Sequence, residues 1–463
     1  MTSEATATKP RSLLRQRTFA LLWVGQSVSV FGTQITYVAV PLTAVLLLHA
    51  TPMEAGVLGA LDTLPFLLFG LFVGVLLDRR ARRSVMIAAD VVRAAALGWI
   101  PIAYAFGWLT MLQLYVAVFV VGVMTVFFDL AYQSYLPGLV GRDRLTEANG
   151  KLQLSDSSAQ VAGPGLAGLL ITWLGAPVAL LIDAASYVLS FATAAALPAD
   201  EAPRRPPGAP AGSVRAAIRE GFVAIGRRPL VLWCTIAAAI INLFSAAIMS
   251  VFFLFLVRVV GIGAAQVGLV VAASSAGALG GAILVDRLIG WFGVGPTLVS
   301  SMTLTALGFL ALGVVPAHSP AAFPIAAVAG FVVMFGVPVF DVTVISFRQA
   351  STPDELLGRV NATVRTCILG AASLGALLGG AFATAAGLRA TVLAGTAGTF
   401  VAALVLLCSP VRTVRRLPAP PTDALPTDIA PSADAAPSAD AEPCDAAPAA
   451  VAVPSTTTEQ QTP

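Results

Sequence analysis

The sequence predicts an all-α membrane protein of twelve transmembrane helices, arranged as two six-helix halves related by a pseudo-twofold axis along the membrane normal. Three observations predict it. Of the 463 residues, 57% are hydrophobic and only 11% are charged, a composition that needs lipid as solvent. The basic residues fall into alternate loops, and the two halves of the chain repeat one another at a fixed offset.

A hydrocarbon core about 30 Å thick takes about 20 apolar helical residues to cross, and helix is required because unpaired backbone groups in lipid are costly. By that measure the first half, 18–197, contains spans at Thr18–Leu48, Ala55–Leu77, Ser84–Phe106, Met111–Tyr135, Leu152–Trp173 and Ala176–Leu197. The second half, 229–409, contains Pro229–Val257, Ala264–Leu288, Gly295–Val315, Ala321–Phe347, Ala362–Ala386 and Ala390–Leu407. The turn at Gly107–Thr110 is short enough to be read as a bend within one segment. A polar stretch 1–17 precedes the helices, a Pro-rich linker 198–228 joins the halves, and a tail 410–463 of Pro, Ala, Asp and Thr is expected to be disordered. The first span is far longer than the core of a cleavable signal peptide, so it is read as a retained helix.

All 27 basic residues except Arg93, Arg258 and Arg389 fall on one side of this pattern, Arg365 being counted with the loop after the tenth span. The positive-inside rule then places both termini in the cytoplasm of a multi-pass inner-membrane protein. Without gaps, Phe128–Leu181 matches Phe340–Leu393 at twelve positions at an offset of 212, including Asp129 with Asp341, Gly163 with Gly375, Gly168 with Gly380 and Gly175 with Gly387. Six helices per half keep the halves parallel, so the substrate path is expected between them.

Gly74, Asp78, Arg79, Arg82 and Arg83, in the segment Gly74-Val75-Leu76-Leu77-Asp78-Arg79-Arg80-Ala81-Arg82-Arg83, resemble the signature loop of the major facilitator superfamily, with Ala81 in place of the usual glycine. Leu136-Pro137-Gly138-Leu139-Val140, Leu145, Ala148-Asn149, Gly163-Pro164 and Ile182-Asp183-Ala184 resemble the branch containing the enterobactin exporter and macrolide efflux proteins. The resemblance covers about Arg15 to Arg412 and implies a transporter working by alternating access. It also implies that the signature loop and Asp129 form a cytoplasmic gate, with Asp129 expected near Arg82 or Arg83. The alternative is an ordinary basic loop with Asp129 in a static ion pair. Gly70 and Gly74, four apart, would let a neighbouring helix approach.

Asp62, about two turns from the extracellular end of the second span and without an acidic counterpart in the other half, is the first candidate for proton coupling, because a buried carboxyl can carry a proton in one state and lose it in another. Asp129 and Asp341 come next. The competing reading bonds Asp62 to hydroxyls such as Thr63. Asp90 and Arg93, one turn apart, are expected to satisfy each other, and Asp183 is read as structural. Gly163, Pro164 and Gly168 resemble an antiporter motif that bends the fifth helix.

Gln26, Thr33 and Tyr37 share a face of the first helix, and Asn242, Ser245 and Met249 a face of the seventh; with Phe31, Phe244 and Tyr132 they suit an amphiphilic ligand or simple helix packing. No metal site follows from His49 and His318, no disulfide framework from four scattered cysteines, and no phosphate-binding loop is present. No cofactor is expected, and nucleic acid is not a partner. The sequence thus points to a monomeric, proton-coupled exporter of a small amphiphilic drug-like molecule or secondary metabolite, with substrate, protons and the bilayer as its partners. An importer or lipid flippase of the same fold is the alternative, and a receptor or enzyme a remote one.

Overall fold

The computed structural model describes residues 13–77, 81–141, 144–198, 222–223, 225–352 and 354–416. Twelve long helices form these regions: α1 Arg17–Leu46, α2 Pro52–Leu77, α3 Arg82–Ala105, α4 Met111–Val140, α5 Leu145–Leu174, α6 Ala176–Ala195, α7 Pro229–Leu254, α8 Ala264–Phe292, α9 Val294–Gly313, α10 Ala322–Ser351, α11 Asp354–Ala386 and α12 Leu388–Cys408. Eleven are long and apolar enough to cross a membrane. The twelfth, α5, is polar along Ser155–Gln160, yet its 30 residues could span the same distance.

Local chemistry sets the helix ends. Thr110 caps α4, accepting from the Gln113 amide at 3.4 Å while the Gln113 side chain accepts from the Thr110 amide at 3.3 Å. Gly107 has a φ of 70°, in the left-handed region, so α3 and α4 are two helices and not one bent segment. Gly175 and Gly387 are the lone residues between α5 and α6 and between α11 and α12, with φ of 83° and 90°. They are repeat mates, and the same turn is built twice. A six-residue π-helical turn, Phe255–Val260, extends α7 beyond the sequence-predicted end at Val257.

The repeat is also visible in packing. In the first half α1 packs on α5 and α6, α3 on α4 and α6, and α2 on α4; in the second α7 packs on α11 and α12, α9 on α10 and α12, and α8 on α10. The halves meet along α2–α11 and α5–α8, a pair of interfaces that the pseudo-twofold exchanges.

One end of the bundle carries Arg83, Arg144 and Arg412 and is called the basic end below. The buried apolar residues form three clusters, and their placement is informative. At the opposite end one cluster runs through both halves, from Val38 and Leu58 to Phe252, Val267 and Val392. At the basic end there are two separate clusters, one around Phe19, Met86 and Phe128 and one around Val231, Met302 and Phe347. The halves are therefore fused at the opposite end and parted at the basic end.

Candidate substrate cavity and gate

The seal at the opposite end is made by backbone. A Cβ on Gly56 of α2 would lie 2.8 Å from Gly380 Cα of α11, and one on Gly268 of α8 would lie 2.6 Å from Gly168 Cα of α5. Gly56 and Gly268 are separated by the repeat offset of 212, as are Gly168 and Gly380. The two glycine pairs are thus one contact repeated by the pseudo-twofold. Glycine is required at each because any side chain would fall within the facing backbone. Near the middle of the same interface, Thr63 and Ser373 hydroxyls hydrogen-bond across the halves at 2.9 Å. Gly70, further toward the basic end of α2, has no atom within 4 Å of a Cβ position, so the close helix approach expected there occurs instead at Gly56.

Of Gly163, Pro164 and Gly168, the last two sit on this seam. Gly163 faces the Gln34 side chain of α1, the Pro164 carbonyl lies 2.6 Å from a Cβ position on Gly268, and Pro164 interrupts the hydrogen bonding of α5. The motif is thus built into a contact between halves, where a bend in α5 would change the seal.

Between the halves, Tyr37 of α1 packs edge-on against Phe253 of α7 at 6.1 Å, and its half-exposed side chain has the Asp62 carboxylate as its charged neighbour. Asp62 of α2 is exposed beside Tyr37. The Thr63 hydroxyl goes to Ser373 and to the Ala60 carbonyl, not to Asp62. Asp341 on α10 is likewise exposed on its helix. Of the other residues expected in the cavity, Thr33 is exposed and its hydroxyl meets the Tyr187 hydroxyl of α6 at 3.3 Å. Asn242 donates to the Ala238 carbonyl, while Gln26 Oε1 and the Ser245 hydroxyl are buried with no hydrogen-bond partner among the described residues. Two aromatic side chains lie elsewhere than expected. Phe244 packs on Gly398 of α12, and Phe31 lines an apolar groove of about 300 Å³ between α1 and α5 with Leu166 and Trp173.

Asp78 and Arg79 lie outside the described residues, and Gly74 is placed in the last turn of α2. Arg93 and Arg365 are charges that act on Asp129. Arg83 turns toward the C-terminus of α6, donating to the Ala194 carbonyl at 3.0 Å and to that of Ala195, where helix-end carbonyls attract a cation. Arg365 is not a loop residue: α11 begins at Asp354, so the guanidinium is carried about three turns into the helix and lies 5.8 Å from the Phe66 ring of α2. It is a cation of the second half facing the first.

Outside the apolar part of α5, Glu147 accepts from the Leu13 amide at 3.0 Å and pairs with Arg144 at 2.9 Å; these contacts hold its carboxyl below the usual range and dock the start of the chain on α5.

Comparison with known proteins agrees with this architecture. A likeness to a solved bacterial homologue of the iron transporter ferroportin in its inward-facing state has a TM-score of 0.70 at 16% identity, covering 86% of this chain and 99% of that one. The nucleoside transporter NupG gives 0.65 at 11% identity, covering 85% and 98%. In sequence, the multidrug efflux pump Tap of Mycolicibacterium fortuitum is 27% identical over 78% of this chain and 88% of its own length. Macrolide efflux protein A of Streptococcus pyogenes is 28% identical over 38% of this chain, and the match spans only 44% of that protein. The family described as transmembrane secretion effector matches residues 8–433. These relatives are transporters, not enzymes, and the chain belongs to the transmembrane secretion effector family, a multi-pass membrane transporter of the major facilitator fold.

Proposed function

We propose that the protein is a secondary active exporter which takes a small amphiphilic molecule, drug-like or a secondary metabolite, from the cytoplasm and releases it outside by alternating access, driven by protons moving inward. The observation that carries this reading is the division of the core into one cluster at the end opposite the basic loops and two at the basic end. With the basic end in the cytoplasm, this is an inward-open conformation ready to load substrate from within. The exporters among the relatives support the direction, and the pairing of Tyr37 and Phe253 with a single carboxylate, Asp62, suits a partly apolar, neutral or cationic ligand. In this reading 18–197 and 229–409 are the two bodies that rock within a monomer, joined by 198–228, and the loop from Gly74 through Arg83 with Asp129 gates the cytoplasmic side.

Orientation is tested by labelling. In a cysteine-free background, His318→Cys is expected to react with an impermeant maleimide on intact cells and Arg416→Cys only after permeabilisation. The reverse pattern would refute the assignment. Coupling is tested by Asp62→Asn, since an amide cannot titrate. Uphill efflux driven by an imposed pH gradient is expected to disappear while downhill exchange of substrate persists. Loss of both gives Asp62 a structural role, and retention of uphill efflux moves the coupling site to another carboxyl, Asp341 first.

A further inference from the structure

The first half carries a buried polar network behind the cavity wall. Asp90 and Arg93 of α3 pair directly, and both are essentially inaccessible, at 0% and 4% exposure. The Arg93 guanidinium is held between the Phe128 ring of α4 at 4.3 Å and the Tyr187 ring of α6 at 4.4 Å. Asp183 of α6, also 0% exposed, accepts from the Ser186 hydroxyl at 2.9 Å and from the Thr36 hydroxyl of α1. Gly32 of α1 makes its room: a Cβ there would lie 2.3 Å from Asp183 Oδ1.

The charges do not balance. The carboxylates are Asp90, Asp129 and Asp183; the cations acting on them are Arg93, in the same half, and Arg365, which acts on Asp129 from the other half. Arg93 is bonded to Asp90, and Arg365 is available to Asp129. Asp183 is left without a cation of its own, and the one charge acting on it among the described residues is the Arg93 already taken by Asp90. Around it α1 contributes Thr33 and Thr36, α3 contributes Asp90 and Arg93, and α6 itself contributes Tyr187. Asp90 has the Ser190 hydroxyl of α6 beside it as well as Arg93, so α3 and α6 share the network. An uncompensated carboxylate in such surroundings costs several kcal/mol and is relieved by taking a proton.

We propose that Asp183 is a proton-binding site distinct from Asp62. Its carboxyl takes one proton from water by way of the cavity, which the network touches where Tyr187 meets the exposed Thr33. The two donors that favour the ionised form, Thr36 and Ser186, lie on α1 and α6, so proton affinity at this site depends on how α1 packs on α6 within the first half. The site deepens the proton-driven reading given above, but its test does not depend on transport.

The test is infrared difference spectroscopy of the full-length protein in lipid across a pH step, following the C=O stretch of protonated carboxyl groups. Asp183→Asn is expected to remove one such band and Asp62→Asn to leave that band in place. Thr36→Val keeps the carboxyl but removes a hydrogen bond, and is expected to shift the band's frequency without abolishing it; this covers the case in which Asp183→Asn does not fold. A band unchanged in Asp183→Asn or in Thr36→Val, or one lost in Asp62→Asn, overturns the proposal. Failure of proton-driven efflux with these spectra as expected would refute the coupling but leave the site standing.

Discussion

Gly56→Leu and Gly268→Leu are each expected to abolish transport, to equal extents, and to leave the protein inserted with its non-basic end open. Each leucine would begin with a Cβ 2.8 Å or 2.6 Å from the Cα of the partner glycine, with a backbone carbonyl as close. Neither helix can yield locally, because the obstruction is main chain and not the tip of a flexible side chain. Overpacking of this kind costs about 1–3 kcal/mol, and every 1.4 kcal/mol is about a factor of ten in an equilibrium, so a roughly 5- to 150-fold shift away from the sealed state is expected. An exporter must visit the inward-open state to load, hence the loss of activity. The measurement is maleimide reactivity of a cysteine at Ser373, which lies behind the seal, added from the outer side of intact cells. It should rise in both variants. A large effect at Gly56 with none at Gly268, or unchanged transport in both, would show that the two pairs are not one gate repeated by symmetry.

How much of this gate was legible beforehand differs from residue to residue. The spans and the repeat follow from composition and spacing, because a bilayer imposes helix and a minimum length on any segment that crosses it. The offset of 212 relates Gly168 to Gly380 in sequence alone, and it relates Gly56 to Gly268 as well. What spacing does not contain is which member of one pair faces which member of the other; that depends on how the halves dock. Gly70 illustrates the limit: it had the right spacing for close packing and met nothing. The cations that reach Asp129 from distant segments were hidden for a similar reason. Arg82 and Arg83 lie close to the end of α2, whereas Arg93 and Arg365 come from the middle of α3 and from α11, far along the chain. Asp90 with Arg93 was readable because one helical turn separates them. Their shared surroundings with Asp183 were not, since α3 and α6 are brought together only by tertiary packing.

That shared network makes Arg93 the side chain whose loss should damage the fold most. Arg93→Leu removes the cation bonded to Asp90 and leaves two fully buried carboxylates, Asp90 and Asp183, without it. Breaking a buried pair by deleting one partner costs about 3–5 kcal/mol. The guanidinium also gives up its place between the Phe128 and Tyr187 rings, a contact worth about 2 kcal/mol when desolvated. The variant is expected to lose its monodisperse peak in detergent or to unfold at a clearly lower temperature. Arg93→Lys should recover only part of the loss, because an ammonium keeps the charge but lacks the planar faces that fill the gap between the two rings. Arg93→Leu combined with Asp90→Leu should recover most of the loss, since replacing both members of a buried pair by apolar groups is close to neutral. A single variant as stable as the parent would mean that the charges are hydrated in place. A double variant no better than the single one would mean that Arg93 acts through packing on the rings and not through charge.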